Sequence, residues 1–348
     1  MVRKHCKECG GPMQRWGRSR QGKQRFYCVE CKITSTPQRD DVELRHTVDN
    51  LKKWLGGKES LADMAADAHV SRQALSRRFH KVMMQAATAP IVPDLLKTKI
   101  LIVDGTYIHG HTLCALIAVD EQDRIHWKFV HHESFASWCD FLSSFVEPEI
   151  IIMDGQKGLF LAARTLWPKV SIQRCQFHLV AFAIQYIGRK PKEQAGRDLM
   201  AILYELKNAK TPEARDIWIK DYRAWEQRYE IFIGAKGADR KFLRPRFRGA
   251  RLIIRRAIPY LFTFLNHQGA PNTTNLVEGW INGALAEGVR LHRGLGIPQK
   301  KALATIILSD LVRPKHPVLT IRERLKQAQK IRLARFFGKR RRVETIII

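Results

Sequence analysis

The sequence is short of acid. Its 348 residues hold 33 Asp plus Glu against 61 Lys plus Arg, a formal charge of +28. So large an imbalance points to a polyanionic partner, with nucleic acid the default. There is no run of about 18 uncharged apolar residues, which excludes a membrane-spanning helix. Arg3, Lys4, Cys6 and Cys9 open the chain with no apolar stretch behind them, so a secretory signal is not expected and a cytoplasmic location is. Cysteine is sparse, with seven residues. In that setting they read as metal ligands or plain thiols rather than a disulfide scaffold. No internal repeat or low-complexity tract stands out. What the chain does have is a 45% apolar fraction, enough for a sizeable core, and a length that suggests two or three domains.

Charge is unevenly placed. Residues 1–36 carry nine Lys/Arg and two Glu, and residues 313–348 carry twelve Lys/Arg and two Glu. Residues 101–154 reverse the sign, with nine acids and two bases. Basic flanks suit phosphates, and an acidic centre suits cations. Acids that merely balance a solvated face explain the island equally well on charge alone.

Cys6-Lys-Glu-Cys9 and Cys28-Val-Glu-Cys31 form two C-x2-C knuckles with eighteen residues between them. Two knuckles present four thiolates to one tetrahedral zinc. About 36 residues cannot build a core unaided, so the metal would supply the folding free energy. The reading is a zinc ribbon over residues 1–36. Its basic and aromatic middle (Arg15, Trp16, Arg18, Arg20, Lys23, Arg25, Phe26, Tyr27) is either a solvated hairpin or a surface for the DNA backbone.

Pro37 and Gln38 read as a linker into a helix-turn-helix domain, residues 37–88. Val42 to Leu55 has helical spacing and stops at Gly56-Gly57. Ser60 is placed to cap a short second helix, His69-Val70 makes the turn, and Ser71 caps a third helix. Small Ala65 and Ala66 allow close crossing, while Val70, Leu75 and Phe79 take buried positions. Arg72, Gln73, Arg77 and Arg78 point away from those positions and suit phosphate or base-edge contact. An ordinary helical hairpin is the plainer alternative.

Three strands follow: Lys99 to Asp104, Leu113 to Val119, and Arg124 to Val130. Then come a helix (Ser134 to Phe145), a strand (Glu149 to Asp154), a helix (Lys157 to Trp167) and a strand (Val170 to Arg174). The order β-β-β-α-β-α-β resembles the RNase H-like fold. Asp104 and Asp154 each end an apolar strand, and adjacent strands lie roughly 5 Å apart. Two such carboxylates are placed to bracket divalent cations, as two-metal phosphoryl transfer requires, and hard oxygens suit Mg²⁺ or Mn²⁺. A single Asp-Gly after a strand is usually a turn; two at corresponding strand ends of a basic chain favour a site. The best third acid is Glu278, in Asn272-Thr-Thr-Asn275-Leu-Val-Glu278-Gly-Trp-Ile-Asn282. Asn282 falls one helical turn beyond it. Asn275 with Glu278 also reads as a capping box, in which the acid serves only the helix start.

Asp104-Gly-Thr-Tyr, Asp154-Gly-Gln-Lys-Gly, Cys175-Gln-Phe-His178 and Thr274-Asn-Leu-Val-Glu278, with Arg293-Gly294 downstream, resemble the Mutator-superfamily insertion-sequence transposases of bacteria. The resemblance covers roughly residues 1–312, and a zinc ribbon and helix-turn-helix are usual companions of that domain. It implies a catalytic triad of Asp104, Asp154 and Glu278 holding two Mg²⁺ (or Mn²⁺), with Cys175 and His178 beside the site. A buried Cys and a hydrogen-bonded His supporting the sheet is the alternative for that pair. Asp154 and Glu278 are 124 residues apart, too far for one crossover, and the interval reads as helices. Trp218, Tyr222, Trp225, Tyr229 and Phe232 step by four and three, a stripe more often core than a base-stacking platform.

Residues 240–256 carry eight Lys/Arg and no acid. With Arg244, Arg246, Arg248 and Arg251 among them, they read as a phosphate-tracking surface. The expected architecture is α/β: a zinc ribbon, a helix-turn-helix, then an RNase H-like mixed sheet. The first core part is 97–180, an all-helical insertion 181–267, the second core part with Glu278 268–312, and a basic tail 313–348 includes Lys339, Arg340, Arg341 and Arg342. The expected function is transposition. The chain would bind the terminal inverted repeats of its element, cleave a strand and join the 3′-hydroxyl to target DNA. It would act as a homodimer or larger assembly on double-stranded DNA, in the bacterial nucleoid. A structure-selective nuclease of the same fold and a non-catalytic DNA-binding regulator are the competing readings.

Overall fold

The computed structural model describes residues 5–6, 8–20, 22–36, 40–57, 59–87 and 96–311. The Pro37-Gln38 linker and the basic tail lie outside them, as do the side chains of Val42 and Leu44. Among the described residues no helix is long and apolar enough to cross a membrane.

The chain divides into two compact units. One combines the described residues up to Ala87 with Arg290–Ile306. It opens with a three-stranded antiparallel sheet in the order β1-β2-β3: β1 (Gln14–Arg18), β2 (Gln24–Tyr27) and β3 (Thr34–Ser35). β1 is exposed throughout and β2 half-buried, with Cys6 and Cys28 the buried ones among the described residues of this sheet region. Helices α1 (Asp40–Leu55), α2 (Leu61–Asp67) and α3 (Arg72–Ala87) follow. Ser60 Oγ accepts from the Asp63 amide at 3.1 Å and Ser71 Oγ from the Ala74 amide at 3.2 Å. Both caps therefore sit where the sequence places them, and His69 makes the turn at φ 49°. Leu51, Leu75 and Phe79 are buried. The crossing rests on Met64 and Ala65 rather than on Ala66, which is exposed, and Val70 is only half-buried. His292 belongs to this unit as well: its ring lies 4.4 Å from that of Trp54, and Nε2 is 3.2 Å from the Leu55 carbonyl.

The other unit runs from Leu96 to Val289, with Ile307–Leu311. Strands β4 (Ile100–His109), β5 (Leu113–Asp120), β6 (Ile125–Val130), β7 (Ile150–Met153) and β8 (Ser171–Arg174) form one sheet in the order β6-β5-β4-β7-β8. The first three pair antiparallel as a meander, while β7 and β8 extend it in parallel. With α4 (Phe135–Leu142) and α5 (Lys157–Leu166) between strands, this is the mixed sheet of an RNase H-like core. Both faces of β5 are covered, so Leu113–Asp120 is buried at every residue and reads as a continuous apolar run rather than an alternating one. α4 and α5 pack one sheet face through Trp138, Phe141, Leu159 and Ala162 against Leu101, Val103, Ile151 and Met153.

Helices α6 (Gln176–Ile187), α7 (Gln194–Glu205), α8 (Pro212–Arg228), α9 (Glu230–Gly234) and α10 (Pro245–Ala257) form a second core. Trp218, Tyr222 and Trp225 are buried in it, and Tyr229 and Phe232 pack against it, so the aromatic stripe is core. α6 crosses position 180: its first residues continue from β8, whereas Leu179, Ala183 and Ile187 belong to the helical core. A π-helical segment (Leu276–Asn282), α11 (Gly283–Leu291) and α12 (Ile297–Leu311) complete the described chain.

Candidate active site and metal-binding cluster

β4 and β7 run parallel with Ile102 opposite Ile152 and Val103 opposite Met153. Side chains alternate along a strand. Val103 and Met153 face the α4–α5 layer, so Ile102 and Ile152 face the other way. Asp104 and Asp154, two residues further on, share that second face one step beyond the last matched pair; Asp104 does not end its strand as the sequence suggests, because β4 continues to His109 in its antiparallel pairing with β5. Asp104 is only 6% exposed.

Cys175 continues the ladder, its amide donating to the Met153 carbonyl at 2.8 Å, and the first turn of α6 lifts His178 to the carboxylates. One ligand atom each from Asp104, Asp154 and His178 lie within 4.8 Å of one another. His178 Nε2 also contacts Glu278 Oε1, and Nδ1 lies 3.4 Å from Thr274 Oγ1. The imidazole thus stands between the Asp pair and Glu278.

Glu278 arrives by a route that sequence spacing does not reveal. The Gln173 and Gln176 side-chain amides donate to the Leu261 carbonyl at 2.9 and 3.1 Å, and the Phe264 amide donates to Gln173 Oε1 at 2.9 Å. Two buried glutamines therefore staple the returning chain to the end of β8. Cys175 Sγ accepts from the Thr274 amide and hydroxyl, both at 3.3 Å. Buried and so engaged, Cys175 anchors the segment that carries Glu278. Asn275 does not cap that segment: its backbone is already right-handed helical (φ −54°) and its side chain makes no cap bond. Glu278 and Asn282, four residues apart on a widened helical turn, both reach the cluster. Asn282 Nδ2 donates to Asp104 Oδ2 at 3.0 Å. Such π-type distortions concentrate at functional sites.

The electrostatics follow from crowding acids in a dry place. Burial, then Asp154 and Glu278, push Asp104 up to about 8. Burial and Asp154 also raise Glu278. Burial lowers the His178 imidazole, Asp154 opposing and Arg174 reinforcing. The site favours a proton or a cation held among its carboxylates.

Two residues of this site escape sequence reasoning. Glu133 precedes α4 and is pushed up to about 7 by burial and by Asp154. A Cβ on Gly105 would fall 2.7 Å from its carboxylate, so the glycine after Asp104 makes room for it. Only its membership of the acidic island hinted at a role. Arg174 ends β8 opposite Met153, and its guanidinium lies against Gly155. No pattern in the sequence marks it.

In the other unit, the sulfurs of Cys6, Cys9, Cys28 and Cys31 converge within 4.8 Å, with Cys9 Sγ 3.5 Å from Cys28 Sγ. A tetrahedral zinc with Zn–S bonds of about 2.3 Å needs sulfurs roughly 3.8 Å apart, which this cluster matches. The Cys31 amide points at Cys28 Sγ from 3.5 Å. The Cys9 amide draws the Cys6 thiol down to about 7.

Arg72, Gln73, Arg77 and Arg78 are exposed on α3. Arg72, Gln73 and Arg77 line a groove of about 810 Å³ with Ser71 and Ser76. On the insertion, Arg246 and Arg248 are exposed, while Arg244 and Arg251 are half-buried. Arg244 stacks over Phe232 at 4.0 Å and Arg248 over Phe242 at 3.6 Å. The run that lacks acid in sequence acquires one in space: Arg255 Nε bonds Glu226 Oε1 of α8 at 2.7 Å.

Residues 74–233 match the family described as transposase, Mutator family. Asp104, Asp154, Cys175 and His178 fall inside the match and Glu278 outside it. No curated protein sequence matches the chain at significance. Among solved structures, a chain of the cryoEM structure of the simian T-cell lymphotropic virus intasome in complex with PP2A regulatory subunit B56 gamma is 12% identical. The alignment covers 55% of this chain and 74% of that one, with a TM-score of 0.19.

Proposed function

We propose that this chain is the DNA transposase of an insertion sequence, with Asp104, Asp154 and Glu278 as its catalytic carboxylates. The observation that carries the reading is the convergence of four segments. The middle of β4, the residue after β7 and the start of α6 bring Asp104, Asp154 and His178 within 4.8 Å, and His178 meets Glu278 of the π-helical segment. The Mutator-family match over residues 74–233 supports it.

The donor set fits Mg²⁺ or Mn²⁺. It is dominated by carboxylate oxygens, as hard divalent cations prefer, and Asn282 Oδ1 is a further buried oxygen without a partner. Asp104 and Asp154 would hold the ions, with Glu278 completing the set. Such a pair of ions supplies activation of a hydroxyl nucleophile and stabilisation of the leaving oxygen. The chain's own residues do the rest. The buried Ile102 and Ile152 fix the backbone that leads into Asp104 and Asp154, Asn282 orients Asp104, and His178 holds Glu278 in place. The dry floor beneath Asp104 keeps its carboxylate from being satisfied by bulk water. Four thiolates would hold structural Zn²⁺ in the ribbon. Arg72, Gln73, Arg77 and Arg78 would read or grip the terminal repeats, and Arg246 and Arg248 would track phosphates. Two element ends must be handled together, which calls for a dimer or larger assembly on DNA.

The test is a supercoiled plasmid carrying this reading frame with its flanking DNA, a second target plasmid, and Mg²⁺ or Mn²⁺. Wild-type protein should cut at the element ends and give strand-transfer products. Asp104→Asn, Asp154→Asn and Glu278→Gln should each abolish both while leaving DNA affinity unchanged. Cutting without joining would assign a structure-selective nuclease instead. Cutting that survives Asp104→Asn would remove the mechanism.

A further inference from the structure

Arg174 carries a structural anomaly. Its Nη1 is buried and has no hydrogen-bond partner. A buried donor left unmade is expensive, and more so on a cation. The fold makes specific room for it. Gly155, at φ 80°, follows Asp154, and a Cβ there would stand 1.6 Å from Arg174 Nη1, 2.0 Å from Cζ and 2.5 Å from Nε. The guanidinium therefore lies in the space that a side chain at 155 would occupy, beside one of the candidate catalytic carboxylates. Its other support is an aromatic stack on α6. Arg174 Cζ is 5.8 Å from the Phe182 ring centre, and Phe182 stacks on His178 at 5.8 Å. A flat cation is clamped between a glycine backbone and a phenyl ring, one N–H is spent on nothing, and the same stack ends in the imidazole that touches Glu278.

The pocket needs such a group. Asp104, Asp154, Glu278 and Glu133 all direct negative charge at the place where a DNA phosphate would react, and a phosphodiester is itself an anion. An arginine fork offers parallel donors matched to phosphate oxygens, and in a buried setting it is pre-organised. We infer that Arg174 is the substrate-phosphate contact of this site: its half-buried guanidinium takes a non-bridging oxygen of the scissile phosphodiester and holds it against the carboxylates. The inference rests on the phosphoryl-transfer reading above. It adds a residue that neither the carboxylate triad nor the Cys175–His178 pair includes.

The experiment charges or neutralises one phosphate at a time. The wild-type cut position is first mapped on linear DNA carrying the reading frame and its flanks. That phosphate is then replaced by a neutral methylphosphonate, and binding is measured with Ca²⁺ for wild type, Arg174→Gln and Arg174→Lys. The neutral linkage should weaken wild-type binding by about 10-fold or more, yet weaken Arg174→Gln by less than about 2-fold, because the partner is already gone. Arg174→Gln should also cut natural DNA about 100-fold more slowly, with Arg174→Lys between the two. The methylphosphonate arm uses unaltered protein, so misfolding of a variant cannot imitate its result. Losses that simply multiply, or a wild-type affinity indifferent to the neutral linkage, would overturn the role of Arg174. Wild-type protein that cuts no DNA would instead remove the reading beneath it, a distinguishable result.

Discussion

Asn282 Nδ2 donates to Asp104 Oδ2 at 3.0 Å, joining two residues 178 positions apart. The bond opposes the rise that burial imposes on Asp104 and ties the π-helical segment to the middle of β4. A hydrogen bond to a charged group contributes about 1.5–3 kcal/mol. Asn282→Ala should therefore slow DNA cutting by roughly 10- to 100-fold with little change in DNA affinity. Steady-state cutting rates across pH check it: the acidic limb of the profile should move up as Asp104 holds its proton more tightly. An unchanged rate would show that the bond does not orient the carboxylate.

Asp104 also predicts a pH dependence of stability. Its carboxyl is raised from an ordinary 3.8 to about 8 in the folded protein. Between those values the unfolded chain binds fewer protons than the folded one, so stability falls as pH rises. A divalent cation takes the place of the missing proton. Mg²⁺ or Mn²⁺ should thus raise the melting temperature more at pH 8 than at pH 5, and Asp104→Asn should flatten both trends. Thermal unfolding at the two pH values, with and without metal, measures this directly. Equal metal effects at both would argue against ions at this carboxylate.

Asp120 behaves in the opposite sense. Burial would raise it, but bonds from His126, from the backbone and side chain of Arg124, and from the Gln122 amide hold it down at about 2. Its contribution is present above its ordinary 3.8 and is lost as pH falls through about 2. Asp120 closes the β5–β6 turn with Arg124 Nε at 2.5 Å and is almost fully buried. Asp120→Asn should cost about 2–4 kcal/mol at pH 7, read by urea denaturation, and should weaken the acid sensitivity of the wild type.

The ribbon should depend on its metal. One zinc per chain should be released by a strong chelator or by Cys28→Ser, with loss of ordered signals from residues 5–36 in an NMR spectrum and little change elsewhere. Release of no zinc from purified protein would refute a structural site.

Salt titration separates the basic surfaces. Each phosphate contact removed should reduce the slope of log affinity against log salt by about 0.9. Arg77→Ala and Arg78→Ala should each do so. Arg255→Ala should not, because Glu226 already neutralises it at 2.7 Å.

Much of this was legible in the sequence because local rules govern it. Knuckle spacing marks Cys6, Cys9, Cys28 and Cys31. The serine caps at 60 and 71 mark helix starts, and apolar runs leading to Asp104 and Asp154 mark strands, although β4 continues beyond Asp104 to His109 because β5 still pairs with it. Asn275 misled for an instructive reason: a capping box presumes an α-helical start, whereas the segment is π-helical and held by Thr274 and Cys175 instead. Ala66 misled because small size permits burial without requiring it.

Pairing and periodicity along the chain determined which strands and helices form, since backbone hydrogen bonding and side-chain alternation act over a few positions. The sequence alone also supplied the charge that points to a polyanion. Only the tertiary structure decided that β4 and β7 lie side by side and in register, and that two glutamines return a distant segment to the end of β8. It likewise placed His178 between the aspartates and Glu278, and left the Arg174 guanidinium beside Asp154 with a donor unspent. Those are contacts between residues tens to hundreds of positions apart, fixed by packing and burial, for which no spacing rule exists.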